Sequence, residues 1–182
     1  MSWPDDYQRI PDEEWARKDT EALAQKYDTV EEHGWYDNLD HTVQRLKTCF
    51  GPNDILLDYS GGTGILTARL YRAMMKQAPH VLIADSSPKF LRLSLEKFYT
   101  DKRVSFRLIR FLKEKKRLET LRESVDESIW SIGIDGIVST NAIHLYYGLE
   151  ETLQSWRDIL KTTGKLHVQS GNINNPDAAG AW

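Results

Sequence analysis

ILLDYSGGTG, residues 55–64, is answered further along the chain by VLIADSSPKFL, residues 81–91. The first stretch reads as a buried strand, Ile55 to Tyr59, with an acid at Asp58 and a glycine-rich turn that opens a helix at Gly64. The second reads as another strand, His80 to Ala84, closed by Asp85 and followed by a helix from Pro88, a residue favoured in first helical turns. Glycine in such a turn lets the backbone pass close to a ligand. A carboxylate at the tip of the next strand is placed to accept hydrogen bonds from ribose hydroxyls. Together the two segments predict a nucleoside-containing cofactor lying across the carboxyl ends of a parallel sheet.

Working outward, the pattern alternates. A third strand spans Val104 to Ile109, and a long polar helix carrying Leu112, Leu118, Leu121 and Val125 is expected after it. The fourth strand is Gly136 to Ser139. A helix from Leu149 to Leu160 follows, with Leu153, Trp156 and Leu160 on its buried stripe. Gly164 suits the C′ position, and the fifth strand is Lys165 to Gln169. Upstream, Met1 to Pro11 reads as an irregular arm, Asp12 to Tyr27 as an amphipathic helix, and His41 to Phe50 as a second helix stopped by Gly51-Pro52. Strands and helices in alternation argue for a parallel sheet with helices on both faces. Residues 1–50 are then a helical arm or cap, and 51–182 the cofactor-binding core of one structural domain.

A chain of 182 residues can bury a sizeable core. The net charge of −3 argues against a nucleic-acid binder. The basic stretch Lys113-Glu-Lys-Lys-Arg117 is interrupted by Glu114 and followed by Glu119, so it reads as a solvated helix face. The single Cys49 cannot form an internal disulfide, which suits a reducing compartment. With neither a basic-then-apolar leader nor an apolar run of spanning length, the expectation is a cytoplasmic protein without membrane association.

These segments resemble the class I S-adenosylmethionine-dependent methyltransferases, a likeness that covers the chain from about Tyr27 to Asn172. In that family the first strand ends in an acid and a glycine-rich loop, here Asp58-Tyr-Ser-Gly-Gly-Thr-Gly64. The second strand ends in an acid often followed by Ser-Pro, here Asp85-Ser-Ser-Pro88. The fourth runs into a polar segment facing the methyl donor, here Ser139-Thr-Asn-Ala-Ile-His144, and a helix leads through a Gly turn into the fifth. The resemblance implies a three-layer αβα Rossmann-like fold with strand order 3-2-1-4-5. It also implies S-adenosyl-L-methionine as cofactor, bound by Asp58, Tyr59, Ser60, Gly61, Gly62, Gly64, Asp85, Ser86 and Asn141. Trp35, Tyr36 and His144 would cover the cofactor or substrate, with plain packing as the other reading of each. Asp58 either attracts the cofactor ammonium or anchors the loop. Tyr146-Tyr147 reads as helix-cap packing in preference to an aromatic substrate box.

Three departures from the family stand out. Ser60 occupies the place of the first glycine, a tolerable change if its φ stays negative. Arg110, followed by Phe111, occupies the place of the acid that contacts the adenine amine. After Gln169 the segment SGNINNPDAAGAW has no strand pattern, so the family's final antiparallel hairpin is expected to be missing. The fifth strand would then be an open edge. A truncated chain or a short form accounts for this, and a second copy or the N-terminal helices would cover the edge.

The leading expectation is a methyltransferase acting on a small-molecule acceptor by in-line transfer, in which positioning carries much of the rate and no dedicated base is required. A non-catalytic binding protein on the same fold is the alternative. A nicotinamide-dependent enzyme fits less well, since Asp58 would stand beside a pyrophosphate and repel it.

Overall fold

The structure, a computed structural model, describes residues 21–29, 38–115, 117–143, 146 and 148–169. In chain order its first elements are α1 (Glu21–Thr29), α2 (Asn38–Cys49), β1 (Ile55–Tyr59), α3 (Ile65–Met74), β2 (His80–Asp85), α4 (Pro88–Lys97) and β3 (Val104–Leu108). Then come β4 (Phe111–Leu112), β5 (Arg117–Leu118), α5 (Leu121–Ser124), α6 (Glu127–Trp130), β6 (Ile134–Thr140), α7 (Leu149–Ile159) and β7 (Leu160–Gln169). Five strands form one sheet in the order β3-β2-β1-β6-β7, every neighbouring pair parallel. This is the expected α/β architecture, and the described residues contain no antiparallel hairpin beyond β7.

Helices on both faces explain why the central strands read as unbroken apolar runs and not as alternating ones. On one face Leu39, Val43 and Leu46 of α2, Ile65, Leu66 and Leu70 of α3 and Leu91 of α4 meet Leu56, Val81, Ile83 and Val138. On the other, Leu121 of α5 and Trp156 and Ile159 of α7 meet Leu57, Leu82, Ala84 and Ile137. Burying each such Leu or Ile is worth roughly 1.5–3 kcal/mol over leaving it exposed. From β1 the chain winds outward through β2 to β3, then crosses back to lay β6 on the other side of β1. Loops leaving the carboxyl ends of β1 and β6 therefore part company, which opens a crevice where this fold class places its ligands.

The long helix expected after β3 is absent. Phe111–Leu112 pairs antiparallel with Arg117–Leu118, and two short helices follow. Thr120 explains the interruption. Its hydroxyl accepts from Glu123 N–H, while the Glu123 carboxylate accepts from Thr120 N–H at 2.8 Å, a capping box that starts a new helix. The basic stretch is consequently a hairpin, not a helix face, and Lys115 and Arg117 both pair with Glu123.

The α7 stripe is also rotated from expectation. Thr152, Ser155, Trp156 and Ile159 are buried, whereas Leu153 is 39% exposed. Ser155 earns its inward place by accepting a hydrogen bond from Leu121 N–H at 2.7 Å. The helix hands over directly to β7 at Leu160, whose φ of −73° and ψ of 132° are extended. Gly164 therefore caps nothing. It lies in an irregular stretch of β7 before regular pairing with β6 resumes at Lys165, and a Cβ there would come within 2.6 Å of Leu160 Cγ. Trp35, Tyr36, His144, Tyr147, the arm over residues 1–20 and the segment after Gln169 lie outside the described residues.

One residue couples a helix to the sheet centre. A Cβ on Gly136 of β6 would fall 2.2 Å from Cζ of the buried Phe50. Gly136→Ala should cost about 1–3 kcal/mol by overpacking, read from urea unfolding, and Phe50→Leu in the same chain should recover part of that loss. Equal midpoints for the parent and the single variant would show that the contact is slack.

Candidate functional site

The crevice is floored by the loop after β1. Gly61 N–H donates to Ala84 O at 3.1 Å, tying the loop to β2 at once. No side chain fits at Gly61, since a Cβ would lie 2.8 Å from Ile83 Cγ2 and 2.9 Å from Asp58 Cγ. Gly62 differs. Its nearest neighbour would be Phe90 Cδ2 at 3.5 Å, but its φ is +57°, so handedness and not space selects glycine. Gly64, at φ +76°, caps α3.

Ser60 does not keep a negative φ as the sequence reading required; it stands at +60°. A left-handed serine carries strain on the order of 1–2 kcal/mol. Beside it the half-buried Tyr146 phenol hydrogen-bonds Ser139 Oγ. Burial pushes that phenol up to about 12, so it stays protonated. The Tyr146 ring packs edge-on against Tyr59 and Trp156 at centroid separations of 5.6 and 6.0 Å. Tyr146 is thus packing, as expected, and the Tyr59 ring is turned into the same cluster.

Two carboxylates lie under and beside the loop. Asp85 Oδ2 accepts from Gly62 N–H at 2.9 Å and Oδ1 from Ser87 N–H at 2.8 Å, while Ile109 N–H donates to Asp85 O at 2.9 Å. One residue thereby joins the glycine loop, the turn into α4 and the end of β3. Ser86 is half-buried beside it. Asp58 is 1% exposed, and its Oδ2 accepts from Thr67 Oγ1 at 2.8 Å. Burial raises its pKa to about 7, the Thr67 bond opposes that, and the Asp85 charge adds to it. The Thr67 bond ties the end of β1 to α3, with Gly61 packed against the carboxyl group.

Beyond β3 the sequence reading overlooked an acid. Glu119, 5% exposed, accepts from Arg110 N–H at 2.9 Å and from Arg110 Nε at 2.8 Å. The hairpin β4–β5 folds this carboxylate back to the strand end where Arg110 had seemed to stand alone. The hidden signal was the opposite charge nine positions on, legible only to a reader who foresaw the hairpin. At the far side, Asn141 ends β6 at φ +56°, and its side chain accepts from Asn38 Nδ2 at 3.0 Å. Asp58, Ser60, Gly61, Gly62, Gly64, Asp85 and Ser86 therefore gather at the ends of β1 and β2, with Asn141 across the crevice at the end of β6. Among the described residues no cluster of His, Cys, Asp or Glu could hold a metal ion. No helix among them is long and apolar enough to cross a membrane.

No family profile and no curated protein matches the chain. Solved structures do resemble it. One is an S-adenosyl-L-methionine-dependent methyltransferase from Methanococcus maripaludis, 16% identical, with a TM-score of 0.65 over 100% of this chain and 73% of that one. Another is a Haloferax volcanii complex of a methyltransferase with the Trm112 methyltransferase activator, 21% identical, with a TM-score of 0.61 over 84% of this chain and 58% of that one. A third, from Geobacter sulfurreducens and in complex with S-adenosyl-L-homocysteine, is 16% identical, with a TM-score of 0.51 over 72% of this chain and 47% of that one. The chain thus has the Rossmann-like methyltransferase fold, and it spans under two thirds of the Haloferax volcanii and Geobacter sulfurreducens chains.

Two variants test the floor of the crevice. The folded protein holds the Asp58 proton to about pH 7, while the unfolded chain releases it near the ordinary aspartate value. Stability from this site is therefore present at acid pH and is lost as pH climbs through that window. Asp58→Asn has no such proton to lose. It should gain on the parent by a few degrees in melting temperature, on the order of 2–4 °C per kcal/mol, from about pH 5 to about pH 8. A constant gap over that range would sink the buried-acid account. At Ser60, alanine keeps the left-handed strain that glycine relieves, so Ser60→Ala should be less stable than Ser60→Gly by about 1 kcal/mol in urea unfolding.

Proposed function

We propose that the chain binds S-adenosyl-L-methionine in this crevice and transfers its methyl group to a small-molecule acceptor. The observation that carries the reading is Asp85, a carboxylate held at the end of β2, beside the glycine loop, by the Gly62 and Ser87 amides. Asp85 would accept from the two ribose hydroxyls, which want paired acceptors close together. With the Gly61, Gly62 and Gly64 amides bonded within the protein, the Ser60 and Thr63 amides ahead of α3 would meet the carboxylate of the cofactor's amino-acid end. Asp58 supports that loop from beneath. The adenine would lie along the end of β3, against the backbone at Ile109 and the Arg110–Glu119 pair. Asn141 stands on the acceptor side.

The bound cofactor supplies an electrophilic methyl group on a sulfonium whose neutral thioether leaves readily. What remains for the protein is to hold the nucleophile in line and to keep water out. No side chain is assigned as a base. The lone Cys49 suits a reducing, cytoplasmic setting.

A second reading, a binding protein that works through a partner, is favoured by the edge position of β7 in the sheet of the described residues, where Leu166 is 48% and Val168 37% exposed. The activator bound to the Haloferax volcanii neighbour makes a partner protein worth testing for.

Calorimetric titration with S-adenosylmethionine, S-adenosylhomocysteine and NAD separates these. Micromolar affinity for the two sulfur ligands and none for NAD is expected; a folded protein that binds none of them hands the lead to the partner reading. Asp85→Asn, which keeps the shape but replaces two charged acceptors with one neutral acceptor and a donor, should weaken S-adenosylhomocysteine by about 1–3 kcal/mol. Unchanged affinity in a folded variant would remove the ribose assignment.

A further inference from the structure

The carboxyl ends of β6 and β7 hold a side-chain network that the reading above does not use. Thr42 Oγ1, on α2 and buried, lies 2.5 Å from Gln169 Oε1 and 3.1 Å from His167 Nε2. Thr42 has one proton, and an amide oxygen can only accept it, so His167 must donate through Nε2. Gln169 Nε2 donates in turn to Asn38 O at 3.3 Å, and Asn141 N–H donates to Gln169 O at 2.8 Å. These bonds seat Asn38, the first residue of α2, against Asn141, the left-handed residue that ends β6.

Asn38 Nδ2 donates to Asn141 Oδ1 at 3.0 Å. That single bond leaves Asn38 Oδ1 and Asn141 Nδ2 buried and without a hydrogen-bond partner. Turning both amides over exchanges their roles but still leaves one acceptor and one donor. Buried polar atoms are very seldom left so, and a pair of opposite kind on two bonded amides calls for a ligand that supplies both missing bonds. The pair stands at the end of the strand beside β1, across from the glycine loop.

We propose that Asn38 and Asn141 recognise the methyl acceptor through a group that both donates and accepts a hydrogen bond: a hydroxyl, a neutral amine or a carboxamide. Naming the ligand an acceptor rests on the methyl-transfer reading; the donor–acceptor pair itself does not. Thr42, Gln169 and His167 are positioning residues behind it.

The test uses the nitrogen-labelled chain and the side-chain amide signals of Asn38 and Asn141. Acetamide, which donates and accepts, should shift both signals saturably at about tenfold lower concentration than N,N-dimethylacetamide, which only accepts, or methylammonium, which only donates. Asn141→Asp exchanges a donor for an acceptor and should reverse the preference toward methylammonium, a change that a merely structural residue would not produce. Thr42→Val should weaken acetamide several-fold, and Thr42→Ser should restore it. Equal responses to the three probes, no saturable shift in the folded protein, or a long-lived water bridging both amides and excluding acetamide would each overturn the proposal. S-adenosylhomocysteine titrated into the same sample keeps the two readings apart. Its binding without an acetamide response defeats this inference alone, and an acetamide response without it defeats the cofactor reading alone.

Discussion

The bond pair on Asp85 is the constraint from which the rest of the crevice follows. A glycine loop has few side chains with which to fix itself, so its shape must be imposed from outside. Asp85 imposes it by accepting from the Gly62 amide with one oxygen, while the other fixes the start of α4 through Ser87. The left-handed Gly62, the sealed Gly61 and the buried Asp58 beneath them are then parts of one assembly. Two carboxylates in so small a space repel, and the structure resolves the conflict by depth. Asp85 keeps its amide partners, while Asp58, under the loop, has its pKa raised to near neutrality.

The sheet was legible because its information is local: apolar runs, a glycine turn and acids at strand ends all lie within a few residues of one another. The positions of Asp58 and Asp85 at strand ends followed from that, whereas the strand order and Asn141 were expected from the resemblance to the methyltransferases. What escaped was set by contacts across the sequence. The helix expected after β3 has the composition of one, but the capping box at Thr120 and Glu123 restarts the chain, and Glu119 finds Arg110 only because the hairpin turns back. Leu153 was assigned to the buried face of α7 by periodicity, yet Ser155 took an inward place through one hydrogen bond to Leu121 N–H. Ser60 shows the same limit at the scale of one dihedral. The serine adopts the left-handed backbone of the glycine it replaces, and no local pattern reports that.

Function separates from fold along the same line. A parallel sheet with a crevice at its switch point can serve many chemistries, and likeness at 16–21% identity shows only that architecture. The residues that would choose among chemistries are the polar ones that the apolar pattern does not specify. They are Asp85 at one end of the crevice, the Arg110–Glu119 pair beyond β3, and the Asn38–Asn141 contact across from the loop.

The crossing that lays β6 beside β1 also has a consequence in time. It pairs Leu56 with Gly136 and Asp58 with Val138, residues remote in the chain, whereas β1 with β2 and β2 with β3 close much shorter loops. Long closures carry a larger entropic cost before any contact rewards them, so such pairings form late. The crevice has one wall on each side of that crossing. A ligand that touches both walls can therefore bind only a chain in which that long-range pairing is complete.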